Sequence, residues 1–96
     1  MVVLKTATEL LKVMSNEWRL LILCHLVDGE KSVGHLESEL GLGQSALSQH
    51  LAVLRREKLV CTRRSAQSIY YSLDSEDAKA IMATLYSRFC SVSNSA

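Results

Sequence analysis

Apolar residues recur at helical spacing through the first half of the chain, and the period changes once, after Lys58. Thr6-x-x-Glu9 reads as a capping box opening a first helix, with Leu10, Leu11 and Met14 on its apolar side. Ser15 is the expected N-cap of a second helix. There Glu17 sits in the first turn, and Leu20, Leu23, Cys24 and Val27 form the stripe. Asp28-Gly29 stops it. Ser32 caps a short third helix carrying Val33, Leu36 and Leu40, and Gly41 stands where a terminating glycine belongs. After the tight Gly41-Leu42-Gly43 turn, a fourth helix over Gln44 to Arg56 buries Leu47, Leu51 and Leu54.

Beyond Lys58 the spacing becomes two. Leu59 to Arg64 and Ser68 to Leu73 are the predicted strands, with Ile69, Tyr71 and Leu73 alternating and Ser65-Ala66-Gln67 as a polar tip. Asp74 or Ser75 then caps a last helix bearing Ala78, Ile81, Met82, Leu85 and Phe89 on one side, and residues 91–96 form a small, polar, frayed tail. The order α-α-α-α-β-β-α is mainly helical with a β-hairpin. A helix-turn-helix (32–56) followed by a hairpin (59–73) is a winged helix-turn-helix, a single domain over 1–96.

Composition agrees. Ninety-six residues fit one domain, proline is absent, and aromatics are 5%. The net charge of +1 is uninformative until it is mapped. Gln44 to Leu73 hold five basic residues and one acid, whereas the remainder holds six and nine. A positive segment on an acidic body is the electrostatic footprint of a polyanion partner, although a solvated hairpin would carry the same charges. No charged n-region with a long apolar run occurs in Met1 to Met14, and Leu20 to Val27 is too short to span a bilayer. A cytoplasmic chain without a membrane partner is expected.

The side of the fourth helix opposite its leucines carries Gln44, Ser45, Ser48 and Gln49. An ordinary surface helix shows glutamate and lysine there. Uncharged hydrogen-bonding groups suit base edges. Arg55 and Arg56 at the helix end, with Arg63 and Arg64 in the wing, suit phosphates. Ser65 and Gln67 at the tip are placed to reach the minor groove, and His50 is either a packing or a DNA-facing residue. Double-stranded DNA is therefore the expected partner. The first helix (1–14) and last helix (75–90) keep apolar stripes that a two-fold dimer would bury, unless both pack only on their own domain. Dimer symmetry predicts a palindromic operator.

The run from Leu11 to Leu20, the string Gln44-Ser45-Ala46-Leu47-Ser48-Gln49-His50-Leu51-x-x-Leu54-Arg55, and Leu59-Val60 through Gln67-x-Ile69-Tyr70-Tyr71 resemble ArsR/SmtB-type bacterial repressors over nearly the whole chain. The resemblance implies a bacterial, nucleoid-associated DNA-binding regulator, repressor or antirepressor. Many such proteins sense metals, but Ser32 and Gly34 stand where one site type has its Cys-x-Cys pair. No histidine follows His50, and His25, His35 and His50 do not converge with a cysteine. No metal and no cofactor is expected.

Leu23-Cys24 and Phe89-Cys90 resemble the cysteine pair of the BigR, SqrR and HlyU-like branch. That resemblance implies that Cys24 and Cys90 are a redox switch, bridged by a disulfide or a longer sulfur link when oxidants or reactive sulfur species act as inducer. From the residues alone, Cys24 reads as a small buried hydrophobe, and Cys90 sits near a helix C-terminus that raises a thiol pKa, with Arg88 pulling the other way. Cys61 is a packing or surface residue. A thiol-redox enzyme would want Cys-x-x-Cys near a βαβ unit, and the chain has none, so no catalytic residue is expected. A DNA-binding repressor with structural cysteines and a protein-interaction winged helix remain as alternatives.

Overall fold

The computed structural model describes residues 1–90, the side chain of Cys90 excepted. The expected tail at 91–96 and the Cys90 thiol lie outside the described residues. The elements run α1 (Val2–Met14), α2 (Glu17–Leu26), β1 (Lys31–Ser32), α3 (Val33–Leu40), α4 (Gln44–Arg56), β2 (Val60–Ser65), β3 (Ser68–Leu73) and α5 (Glu76–Leu85), ending in a π-helical turn, Tyr86–Cys90. This is the expected winged helix, with one element added.

The added element is β1. Lys31 pairs with Tyr71 and Ser32 with Tyr70, so the hairpin becomes a three-stranded antiparallel sheet of order β1-β3-β2. Two residues are too few to show a period of two, so nothing in the pattern announces them.

Two helix starts differ from expectation. Helix α1 begins at Val2, and Thr6 lies inside it, its hydroxyl donating back to the Val2 carbonyl at 3.1 Å rather than capping. The cap of α2 is Asn16, whose Oδ1 accepts from the Arg19 amide at 3.0 Å. Ser15 instead donates to the Leu11 carbonyl at 2.8 Å. Both are capping types, and the extended backbone of Asn16 selects it.

The other punctuation follows the sequence. The Ser32 hydroxyl accepts from the His35 amide and the Ser75 hydroxyl from the Ala78 amide, each at 3.0 Å. Gly41, at φ 66°, ends α3 in the left-handed region, its amide reaching the Glu37 carbonyl. Helix α4 ends in a Schellman turn. The Leu59 amide donates to the Leu54 carbonyl and the Lys58 amide to the Arg55 carbonyl, at 2.9 and 3.0 Å. A lysine, not a glycine, takes the left-handed position there, with φ 65°.

One core holds the unit together. Ile22, Leu23 and Leu26 of α2 meet Leu36 of α3, Leu47, Leu51 and Leu54 of α4, Leu59 and Val60 at the wing base, and Ala78 and Met82 of α5. All are nearly inaccessible to solvent. Met14 alone among α1 residues is buried. The rest of that helix shows Val2, Val3, Leu4 and Leu11 to solvent, and Phe89 beyond α5 is 64% exposed. No helix among the described residues is long and apolar enough to cross a membrane.

Candidate nucleic-acid interface

Helix α4 is the centre of the candidate surface. Its leucines fix its roll against α2 and α3, and Gln44, Ser45, Ser48 and Gln49 are consequently all exposed. Gly43 precedes it in extended conformation, and no side chain caps its first turn.

His50 falls on the inner edge of α4, three residues from Leu47 and four from Leu54. It is half-buried, and burial together with the nearby positive charge of Arg19 pushes its pKa down. This favours the packing alternative over a DNA contact, because the side chain lies on the α2 side of the helix.

Strand alternation separates the wing residues. In the β2–β3 register, Val60, Thr62 and Arg64 oppose Leu73, Tyr71 and Ile69, while Cys61, Arg63 and Ser65 oppose Ser72, Tyr70 and Ser68. The first set is the inner face. Ile69 and Tyr71 line a cleft of about 570 Å³ with Ser48, Leu51, Arg55 and Arg56 of α4. Arg64 therefore shares a face with the exposed end of α4. No ion pair engages Arg55 or Arg64 among the described residues, and Arg56 meets only Glu57, at 3.4 Å.

Arg63 lies on the outer face and does not join this group. Its Nε donates to Glu30 Oε2 at 3.0 Å, its Nη2 donates to Glu30 Oε1, and its guanidinium lies 4.6 Å from the Tyr70 ring centre. Arg63, expected as a phosphate ligand, is paired with Glu30 in this structure. The carboxylate already neutralises the guanidinium, and the strand turns it away from α4. Glu30 carried no signal in the sequence, since its partner is 33 positions away. The tip residues Ser65 and Gln67 are exposed, flanking Ala66 at φ 56°.

The cysteines differ in setting. Cys61 is an exposed free thiol on the outer wing face, 3.4 Å from the Ser72 hydroxyl. Cys24 is half-buried in α2 against the core and is not a free thiol. Cys90 closes the π-helical turn after α5. Among the described residues no group of three or more histidine, cysteine or acidic side chains is arranged to hold a metal. His35 is exposed beside Glu39, and His25 Nδ1 lies 3.0 Å from the Leu21 carbonyl.

Known proteins share this arrangement. Residues 16–62 match the family described as bacterial regulatory protein, arsR family. The transcriptional activator HlyU of Vibrio cholerae is 56% identical over 84 residues, covering 88% of this chain and 78% of that protein. The structure of reduced HlyU from Vibrio cholerae superposes with a TM-score of 0.87 at 55% identity, over 90% of each chain. The repressor BigR from Xylella fastidiosa gives 0.82 at 45% identity, over 88% of this chain and 84% of that one. The chain is thus a member of the arsR family of bacterial regulatory proteins, a transcriptional regulator of the HlyU and BigR branch and not an enzyme.

Proposed function

We propose that the protein works as a homodimer on palindromic operator DNA in the bacterial cytoplasm, and that oxidation or persulfidation of Cys24 and Cys90 switches it. The observation that carries the DNA reading is the exposed, uncharged stripe Gln44, Ser45, Ser48 and Gln49, set beside Arg55, Arg56 and the inner-face Arg64. The stripe reads base edges in the major groove, the three arginines bind phosphates, and Ser65 and Gln67 approach the minor groove.

Dimerisation is supported by the uncovered apolar residues of α1 and by Phe89. An exposed apolar surface of this extent marks an interaction site. A two-fold axis through α1 and α5 would cover both and set the spacing of the two recognition helices.

The switch reading is supported by the setting of Cys24 and by the likeness to a protein whose structure is of a reduced form. Two thiols closing to a disulfide release two electrons and two protons, taken up by an oxidant such as a peroxide on its way to water. With polysulfide, one sulfane sulfur stays in the bridge and a second leaves as hydrogen sulfide. Either bridge joins α2 to the end of the α5 arm and so alters the dimer geometry that spaces the recognition helices.

The test is a binding titration on the protein's own upstream DNA, with thiols reduced and then treated with polysulfide. Gln49→Ala should cost about 1–3 kcal/mol on the cognate site and relax one base preference. Cys24→Ser and Cys90→Ser should each abolish the response to treatment. Modification of Cys61 alone, with binding unchanged, would overturn the switch.

A further inference from the structure

The outer face of the wing carries a cluster that the DNA-reading surface does not use. Glu30 immediately precedes β1, Arg63 is in the middle of β2, and Tyr70 is the cross-strand neighbour of both Arg63 and Ser32. Ser32 and Glu30 share a strand face by alternation. The Glu30 carboxylate, the Arg63 guanidinium and the Tyr70 ring thus link β2 and β3 to the residue that leads into β1. Arg63 receives a carboxylate fork on one edge and an aromatic face beneath.

The outer face of the sheet has this cluster where its inner face has the apolar core. Strand β1 is two residues long, and the hairpin sits on the core through its inner face, with Leu59 and Val60 buried at its base and Tyr71 and Leu73 of β3 packed partly buried beside them. We propose that Glu30, Arg63 and Tyr70 form a clamp that sets the tilt of the wing against α3 and α4, so that Glu30 and Arg63 are positioning residues for DNA binding rather than DNA contacts. The clamp deepens the DNA reading above and rests on it for its effect on affinity. It also explains why adjacent arginines have separate tasks. Alternation sends Arg64 to the cleft face and Arg63 to the clamp.

The two roles for Arg63 predict opposite results when Glu30 is removed. If Arg63 is a phosphate ligand, deleting the carboxylate frees its charge, so Glu30→Ala leaves affinity unchanged or raises it. In that case Arg63→Ala lowers the salt slope by roughly one unit. If the clamp positions the wing, Glu30→Ala and Arg63→Ala each weaken binding by a similar factor, roughly three- to tenfold for a coupled pair. The double variant is then no worse than either single one.

The experiment measures duplex affinity across salt concentrations for wild type, Glu30→Ala, Arg63→Ala, the double alanine variant and the exchange Glu30→Arg/Arg63→Glu. Amide hydrogen exchange in β2 and β3 is followed in parallel. The expected result is matched losses in the singles, an unchanged salt slope, faster exchange in both strands and recovery in the exchange variant. A reduced slope confined to Arg63→Ala, with Glu30→Ala silent, overturns the clamp. If wild type shows no salt-dependent duplex binding, the DNA reading fails separately, and the exchange rates alone decide whether the clamp holds the wing.

Discussion

The Nε of Arg19, in the first turn of α2, donates to the carbonyl of Val13 at the end of α1 at 2.7 Å. A cation thus sits on an orphan carbonyl at a helix C-terminus, where both the hydrogen bond and the dipole favour it. The bond fixes the corner between the exposed helix and the core helix. Arg19→Gln should cost about 1–3 kcal/mol, the range for a charge-assisted bond. Denaturant unfolding at fixed protein concentration reads it directly.

The same guanidinium helps hold His50 below the usual histidine pKa, after burial, which is the larger cause. A base depressed in the folded state takes up protons more readily once unfolded. Its contribution to stability is therefore full above the ordinary value of 6.5 and is lost as pH falls through the depressed one. Unfolding midpoints measured from pH 7 down to pH 5 should fall in wild type and fall less in His50→Gln. Arg19→Gln should move the His50 titration upward, as followed by NMR of the ring protons.

Glu30 works in the opposite chemical sense with the same consequence for acid. Its hydrogen bonds from Arg63 hold its carboxyl below the ordinary 4.5. The contribution of the pair is present above that ordinary value and disappears as pH falls through the lowered one. Hydrogen exchange in β2 should therefore speed up at strongly acidic pH before the helical core opens. Arg63→Ala should remove that early step.

Lys58 occupies a left-handed position that costs a side-chain-bearing residue about 1 kcal/mol or more, while glycine loses part of that advantage through a freer unfolded chain. Lys58→Gly should leave stability unchanged or raise it by up to about 1 kcal/mol, measured by thermal unfolding. By contrast, Gly41→Ala, at φ 66°, should cost about 1 kcal/mol and loosen the turn between α3 and α4.

Leu54 is fully buried in the middle of the core and its carbonyl accepts the Schellman bond from Leu59. Leu54→Ala should destabilise by about 2–5 kcal/mol, a large share of what a domain this small possesses. Circular dichroism should show it partly unfolded at 37 °C.

Much of this architecture is legible in the chain because its helices bury clean stripes. Leu47, Leu51 and Leu54 alone fix which side of α4 faces outward, and Gln44 and Arg56 bound it as the pattern predicts. Ser32, Gly41 and Ser75 act by local chemistry and are equally readable. Thr6 misleads because a capping residue inside a helix has the same name as one at its start, and only the apolar run before it hints at an earlier beginning. Strand β1 is hidden by its brevity. The division of labour between Arg63 and Arg64 is hidden more deeply. Two adjacent arginines are identical as letters, and only the pairing of β2 with β3, and of Arg63 with a residue before a strand that the pattern does not reveal, tells them apart.

Ser32 belongs to two elements at once. It pairs with Tyr70 in the sheet, and its hydroxyl starts α3. One residue is therefore the shared pivot of the wing and the helix-turn-helix, and neither can swing without disturbing the other. Whatever grips the wing tip thereby applies leverage to the base of the reading helices. The wing and the helix-turn-helix are joined through a single residue of the backbone, so a change at Ser32 reaches both arms at once.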